Sequence, residues 1–160
     1  MPVRKIAGML TTVGVNCSAQ YAFVAIAKDG VIVEREPERL ELPATELSER
    51  LAVFVDDTAR ELQAVCPDRV SVLRHEHLRG MPVQHSSLES RVVLETLVRL
   101  AAVKAGIPVE LTHRQTVRAR LGFKGKLEEK LDTVLPQTVG QYWRAGRGLA
   151  AMAALALQKQ

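Results

Sequence analysis

Aromatic side chains are scarce: three Phe, two Tyr and one Trp make up 4% of 160 residues. Few platforms are therefore offered on which bases can stack, and Tyr142-Trp143 is the one adjacent pair. Cysteine is rarer still. Cys17 and Cys66 are too few for a disulfide framework and lack metal-site spacing, so two reduced thiols are expected. Long hydrophobic runs are missing as well. Leu149 to Leu157 is the strongest apolar stretch and falls far short of the roughly 20 residues that span a bilayer. The apolar run behind Arg4 and Lys5 is short and has no small-residue cleavage pattern. A soluble cytoplasmic chain without a membrane partner is expected. The last shortage is local: no acidic residue follows Asp132.

What is present suits one packed core. A hydrophobic content of 47% with 25% charged residues is a globular composition, and the length fits a single domain over residues 1–160. The net charge of +4 and a pI near 9.3 permit a polyanionic partner without requiring one. The distribution says more than the total. Acids crowd Glu34 to Glu61, whereas Arg114 to Lys130 carries Arg114, Arg118, Arg120, Lys124, Lys126 and Lys130.

Thr11 to Lys28 reads as a β-hairpin, two runs of β-branched and small apolar residues around a turn at Cys17-Ser18-Ala19-Gln20. Asn16 and Ser18 fall at the end of the first strand, at the mouth of any cleft there. Asp29-Gly30 turns the chain into a third strand that begins at Val31 and runs past Pro37 to Leu42. Thr45 is a plausible N-cap for a helix through about Val65. Arg69 to Arg74 is short and apolar, as a buried parallel strand is. Ser86-Ser-Leu-Glu89 has the form of a capping box opening a long helix that ends at a C′ glycine, Gly106. Ile107 to Thr112 is a fifth strand, and Thr112-His-Arg-Gln115 a second capping box, with a helix running to Gly122. Helices over about Lys126–Leu135 and Leu149–Gln158 complete the chain. The expected fold is α/β: a mixed five-stranded sheet, three antiparallel strands then two parallel, with helices on both faces. A switch in strand order then makes Asn16 a neighbour of Arg74-His75-Glu76-His77.

That element order resembles the ribonuclease H-like superfamily, and the details are similar to its RuvC branch of Holliday-junction resolvases. The segments that carry the resemblance are VGVNCS, VSVLRHEH, LETLVRLAAVKAG running into IPVELTHRQTVRARLG, and GLAAMAALAL. The loop Gly122-Phe-Lys-Gly-Lys126 resembles a glycine- and lysine-bearing loop of these proteins. A group of uncharacterised bacterial RuvC-like proteins also carries arginine and further charges where RuvC has its strand-four glutamate, and this chain is similar to them.

The resemblance implies a site in which acids from strand one, strand four and the last helix hold two divalent cations that activate water. It places those acids at Asn16, at Leu73 or Arg74, at Gly148 and at Ala151. None is a carboxylate. Hard cations such as Mg²⁺ need anionic oxygens, and an arginine repels them, so a degenerate acidic site is expected.

Other chemistry remains open beside this. His75 and His77, two apart on a strand, face one side and suit a transition metal, with His85 or His113 approaching from a loop. Glu76 and Glu95 offer partial replacement of the missing acids, although Glu95 reads more simply as a residue on the solvent face of its helix. The basic stretch offers phosphate contacts through Arg74, Arg114, Arg118, Arg120, Lys124 and Lys126, or is simply a solvated face. The leading expectation is a DNA- or RNA-binding or scaffolding protein, a homodimer by resemblance, with no cofactor. One alternative is a rearranged endonuclease using Glu76 with His75, His77 or His113 around Mg²⁺, Mn²⁺ or Zn²⁺. The other is a protein-interaction module that binds no nucleic acid.

Overall fold

The computed structural model of the chain describes residues 8–42, 48–76, 82 and 84–159. Strands β1 (Thr11–Cys17) and β2 (Tyr21–Lys28) form the hairpin, and β3 (Val31–Val33) and β4 (Arg39–Glu41) follow. Helix α1 (Ser48–Val65) leads into β5 (Arg69–Leu73), and α2 (His85–Lys104) into β6 (Val109–Thr112). Helices α3 (Arg114–Leu121) and α4 (Leu127–Val134), a π-type turn over Trp143–Arg147 and α5 (Gly148–Leu157) complete the order. The sheet runs β3-β2-β1-β5-β6, with β4 also on β2. β1 pairs antiparallel with β2 and parallel with β5, and β5 parallel with β6.

The mixed α/β sheet is the one expected, with one correction. The third strand is broken in two: Val31–Val33 and Arg39–Glu41 pair separately with the two ends of β2, and Pro37 lies in the gap. A proline has no N–H to give a ladder, which favours such a break at a sheet edge. Both capping boxes are also corrected. Helix α2 starts at His85, so Ser86 lies within it, and the N-cap position of α3 is His113; neither helix has a side-chain cap bond. The Thr112 hydroxyl is engaged instead with Ser71 and Glu110. The N-cap expected at Thr45 lies outside the described residues. Gly106, in a left-handed conformation, does end α2 as a C′ residue, with its N–H and that of Ile107 bonded back to Val103 and Ala102.

Central β1 is buried on both faces, which explains its nearly unbroken apolar run. Val13, Val15 and Cys17 point into the core beneath α1 and α2, alongside Phe54, Leu62, Leu94 and Val98. Thr12, Gly14 and Asn16 alternate to the other face, under α5. Here helix and strand meet backbone to backbone. A Cβ on Gly14 would stand 1.8 Å from the Ala150 carbonyl oxygen, and the Thr12 hydroxyl donates to the Ala154 carbonyl at 2.7 Å. Every residue of α5 is buried, as its all-round apolar character predicts. Among the described residues no helix is long and apolar enough to cross a membrane.

Candidate functional site

Asn16 is the last of the three β1 residues under α5, and its register partner on β5 is Leu73. It is 5% exposed, and its Nδ2 donates to the Gly146 carbonyl at 3.0 Å while Oδ1 is buried without a partner. Gly146 lets the π-type turn come this close: a Cβ there would stand 2.5 Å from Phe23 and 3.2 Å from Asn16 Nδ2. The turn is anchored by Arg147, a fully buried arginine. Its Nε donates to the Val24 carbonyl at 2.8 Å and Nη1 to that of Val139, while Nη2 lies 3.8 Å from Glu38. Burial lowers the Arg147 guanidinium from its ordinary value and the charge of Glu38 opposes that shift.

Above Asn16 opens a cleft of about 680 Å³. Its floor is neutral: Asn16, Phe23, Leu131, Trp143, Gly146 and Leu149. Its rim is charged. Arg91 comes from α2, Arg114 and Arg118 from α3, Lys126 from the entry to α4, and Arg144 from the turn; Glu76, Glu128 and Glu129 oppose them. Arg114 is ion-paired with Glu128, and the Nε atoms of Arg91 and Arg114 are buried without partners. Burial, followed by the charge of Arg114, holds the Arg91 guanidinium below its ordinary value. Partial burial pushes the Glu128 carboxyl up, but its own backbone N–H and the Arg114 guanidinium outweigh that and hold it below the usual range. Burial, then the charge of Glu95, pushes the Cys17 thiol well up, so it is an inert neutral group. Cys17 and Cys66 are both free thiols.

The residues singled out in the sequence divide between the cleft and its surroundings. Glu76, Arg114, Arg118 and Lys126 line it with Asn16. Arg120 is paired with Glu110 at 2.8 Å, Arg74 lies 3.4 Å from His113, and Lys124 is exposed on the α3–α4 loop. Glu95 corrects the solvent-face expectation, since it is 4% exposed. It accepts from the His75 backbone N–H at 3.0 Å and lies 3.3 Å from His75 Nδ1, so it clamps the segment leaving β5. His75 is thereby committed to Glu95 and His113 to Arg74; His85 is exposed at the start of α2, and His77 lies outside the described residues. Among the described residues no group of three or more His, Cys, Asp or Glu side chains is arranged to hold a metal ion.

Arg91, Arg144 and Glu128 were not legible as site residues. Arg91 is one cation within the apolar period of α2, and nothing local marks it until the helix is laid on the sheet. Tyr142-Trp143 is no exposed stacking pair, because Trp143 is 4% exposed with Nε1 unpartnered. Arg39 is sandwiched instead between Tyr21 and Tyr142, 4.1 and 4.3 Å from their ring centroids.

No protein-family model matches the chain, and no curated protein sequence matches it. Solved structures do. RuvC of Thermus thermophilus in complex with a Holliday junction substrate superposes with a TM-score of 0.68 at 17% identity, covering 92% of this chain and 91% of that one. A second RuvC structure from Thermus thermophilus gives 0.65 at 17% identity, with 92% of each chain covered. The mitochondrial Holliday junction resolvase of yeast gives 0.56 at 12%, covering 92% of this chain and 77% of that one. The chain thus has the ribonuclease H-like fold of the RuvC type.

The positions at which the sequence resemblance places carboxylates for a two-cation site do not fit such a site. Asn16 supplies one neutral buried oxygen. Leu73 is a core residue, and Arg74 is a cation. A Cβ on Gly148 would meet Leu131 at 2.6 Å, and Ala151 is fully buried in the helix–sheet interface. Hard divalent ions need several anionic oxygens together, and these positions provide none.

Proposed function

We propose that the chain is a nucleic-acid-binding protein built on a nuclease-derived fold, which grips backbone phosphates at its cleft without hydrolysing them. The observation that carries this reading is the pairing of a neutral, closely packed floor at Asn16 with a rim bearing five cations against three carboxylates. A floor without carboxylates gives no seat to metal ions, and a cationic rim attracts a polyanion. Structural likeness to a resolvase solved with a Holliday junction substrate supports a branched duplex as the first ligand to try. Arg114, Arg118 and Lys126 are the inner phosphate contacts in this reading, and Arg74, Arg120 and Lys124 the outer ones. With six aromatic residues in the chain, contacts to the backbone and to shape outweigh base reading.

The test is one panel of labelled four-way junction, duplex and single-stranded DNA and RNA, with Mg²⁺, Mn²⁺, Zn²⁺ or EDTA. Binding that weakens steeply with salt, no cleavage, and a loss of about tenfold or more in the Arg114→Glu/Arg118→Glu variant are expected. Metal-dependent cleavage that disappears in Glu76→Gln overturns the reading. A second surface favours a protein partner or a second copy in addition: Leu100 and Val103 of α2 are 52% and 64% exposed and border a shallow apolar depression with Leu51 and Val55 of α1. Absence of nucleic-acid binding at low salt, together with self-association lost in Leu100→Lys, would transfer the function to that face.

A further inference from the structure

We infer that Arg91 and Arg114 form a subsite for a single phosphate group, and that Glu128 holds that subsite as an internal competitor in the ligand-free protein. The inference rests on the nucleic-acid reading above and says where in the cleft one phosphate is gripped.

The two guanidinium groups reach the cleft from different helices, Arg91 from α2 and Arg114 from α3. Each has its Nε buried without a hydrogen-bond partner. A guanidinium stays protonated in a protein, so each unpaired Nε–H is a donor that an acceptor entering the cleft can satisfy as the side chain turns to meet it. Burial and the charge of Arg114 together disfavour the charged form of Arg91. Two like charges sharing one wall are relieved by an anion placed between them. No carboxylate nearby hydrogen-bonds either Nε. Glu95 is committed to His75, and Glu128 reaches Arg114 at Nη1 and leaves Nε unpaired.

The Arg114–Glu128 pair is also lopsided. The arginine side chain is 12% exposed and the glutamate 55% exposed, so the cation is held in the wall while the anion projects from the first turn of α4. An exposed carboxylate is released at little cost. A phosphate oxygen matches the fork geometry of a guanidinium and spans two of them, which a carboxylate bound to one does not. Asn16, as an amide, leaves the floor of the same cleft uncharged, where a carboxylate would repel an incoming anion.

Inorganic phosphate is the probe, titrated by calorimetry and by the arginine Nε–H signals in ¹⁵N spectra. Saturable binding that moves two buried Nε–H signals is expected. Arg91→Gln and Arg114→Gln each weaken it by about tenfold or more, and Arg91→Lys, which keeps charge but not fork geometry, by less. Glu128→Gln, a change at an exposed side chain, tightens it by about fivefold. No saturable binding to the wild type or to Glu128→Gln overturns the inference, as does a loss in Arg118→Gln equal to that in Arg114→Gln. Unchanged affinity in Glu128→Gln overturns the competitor. A four-way junction titrated into the same variants separates the two readings. Junction binding without phosphate binding sinks the subsite and leaves the nucleic-acid function standing. Phosphate binding without junction binding keeps the subsite for a small phosphate compound and sinks that function.

Discussion

The floor of the cleft and its rim are made by opposite means. The floor rests on a seam where β1, the π-type turn and α5 meet with almost no side chain between them: Gly14 against Ala150, Gly146 against Asn16 and Phe23, and Thr12 bonded to Ala154. The rim is long charged side chains on α2, α3 and α4, balanced by pairs such as Arg114–Glu128. Gly14 in that seam cannot gain a side chain without moving backbone, whereas an exposed rim side chain such as Glu128 can be exchanged at little cost to the fold. The floor is therefore set by close packing, and the rim by charge.

The largest expected effect is Gly14→Ala. Its Cβ would stand 1.8 Å from one α5 backbone atom and 2.6 Å from another, and neither can yield as a side chain does. A loss of about 4 kcal/mol or more in denaturant unfolding is expected, at the upper end of single-site effects. A loss below about 1 kcal/mol would mean that α5 slides freely on β1 and the floor is not rigid. Arg147→Met comes next. It leaves Glu38 buried beside an absent cation and frees the Val24 and Val139 carbonyls, for an expected cost of about 3 kcal/mol. Glu38→Leu combined with it should restore part of that loss, because the stranded charge leaves too.

Asn16→Asp tests the chemistry of the floor. The amide donor to Gly146 becomes a carboxylate facing a carbonyl oxygen in a buried position, at a cost of about 1–3 kcal/mol. The same unfolding midpoint in Mg²⁺ and in EDTA is expected, with no cleavage of a four-way junction. A midpoint raised by Mg²⁺ would show that neighbouring groups supply further ligands, and the contrast between floor and rim would collapse.

Much of the sheet was legible because β1, β2 and β5 alternate or run apolar in ways that only a covered strand does. Asn16 was legible as a cleft residue because it closes the first strand, where a polar side chain is out of place in the core. The break at Pro37 and the failed cap at Thr112 were not, since edge pairing and the competing partner Ser71 are tertiary. Glu95 was misread for the same reason. As the one charge among Val92, Val93, Leu94 and Leu97 it read as the solvent-facing position, and the His75 N–H that it accepts accounts for its burial. The rim carried a partial signal: the run of arginines on α3 named Arg114 and Arg118 but gave no hint that Arg91 would join them.

The smallest expected effect lies at the outer rim and gives the contrast its sharpest edge. Glu110 on β6 accepts from Arg120 at 2.8 Å and lies 3.5 Å from Arg69, with a side chain 29% exposed. Partial burial pushes its carboxyl up, but the Arg120 and Thr112 hydrogen bonds and the two arginine charges outweigh that and hold it below its ordinary value of 4.5. A carboxylate with a lowered folded-state pKa stabilises the protein above its unfolded value, and that stabilisation is lost as pH falls from about 4.5 through the folded value. Solvent screens a pair this exposed, so no more than about 1 kcal/mol is at stake. Glu110→Gln should leave the shape of the neutral and alkaline stability profile unchanged and flatten its acid limb, read as urea midpoints across that range. An acid limb as steep in Glu110→Gln as in the wild type would assign acid sensitivity elsewhere, with Glu128 the next carboxylate to examine because Arg114 holds it down in the same sense.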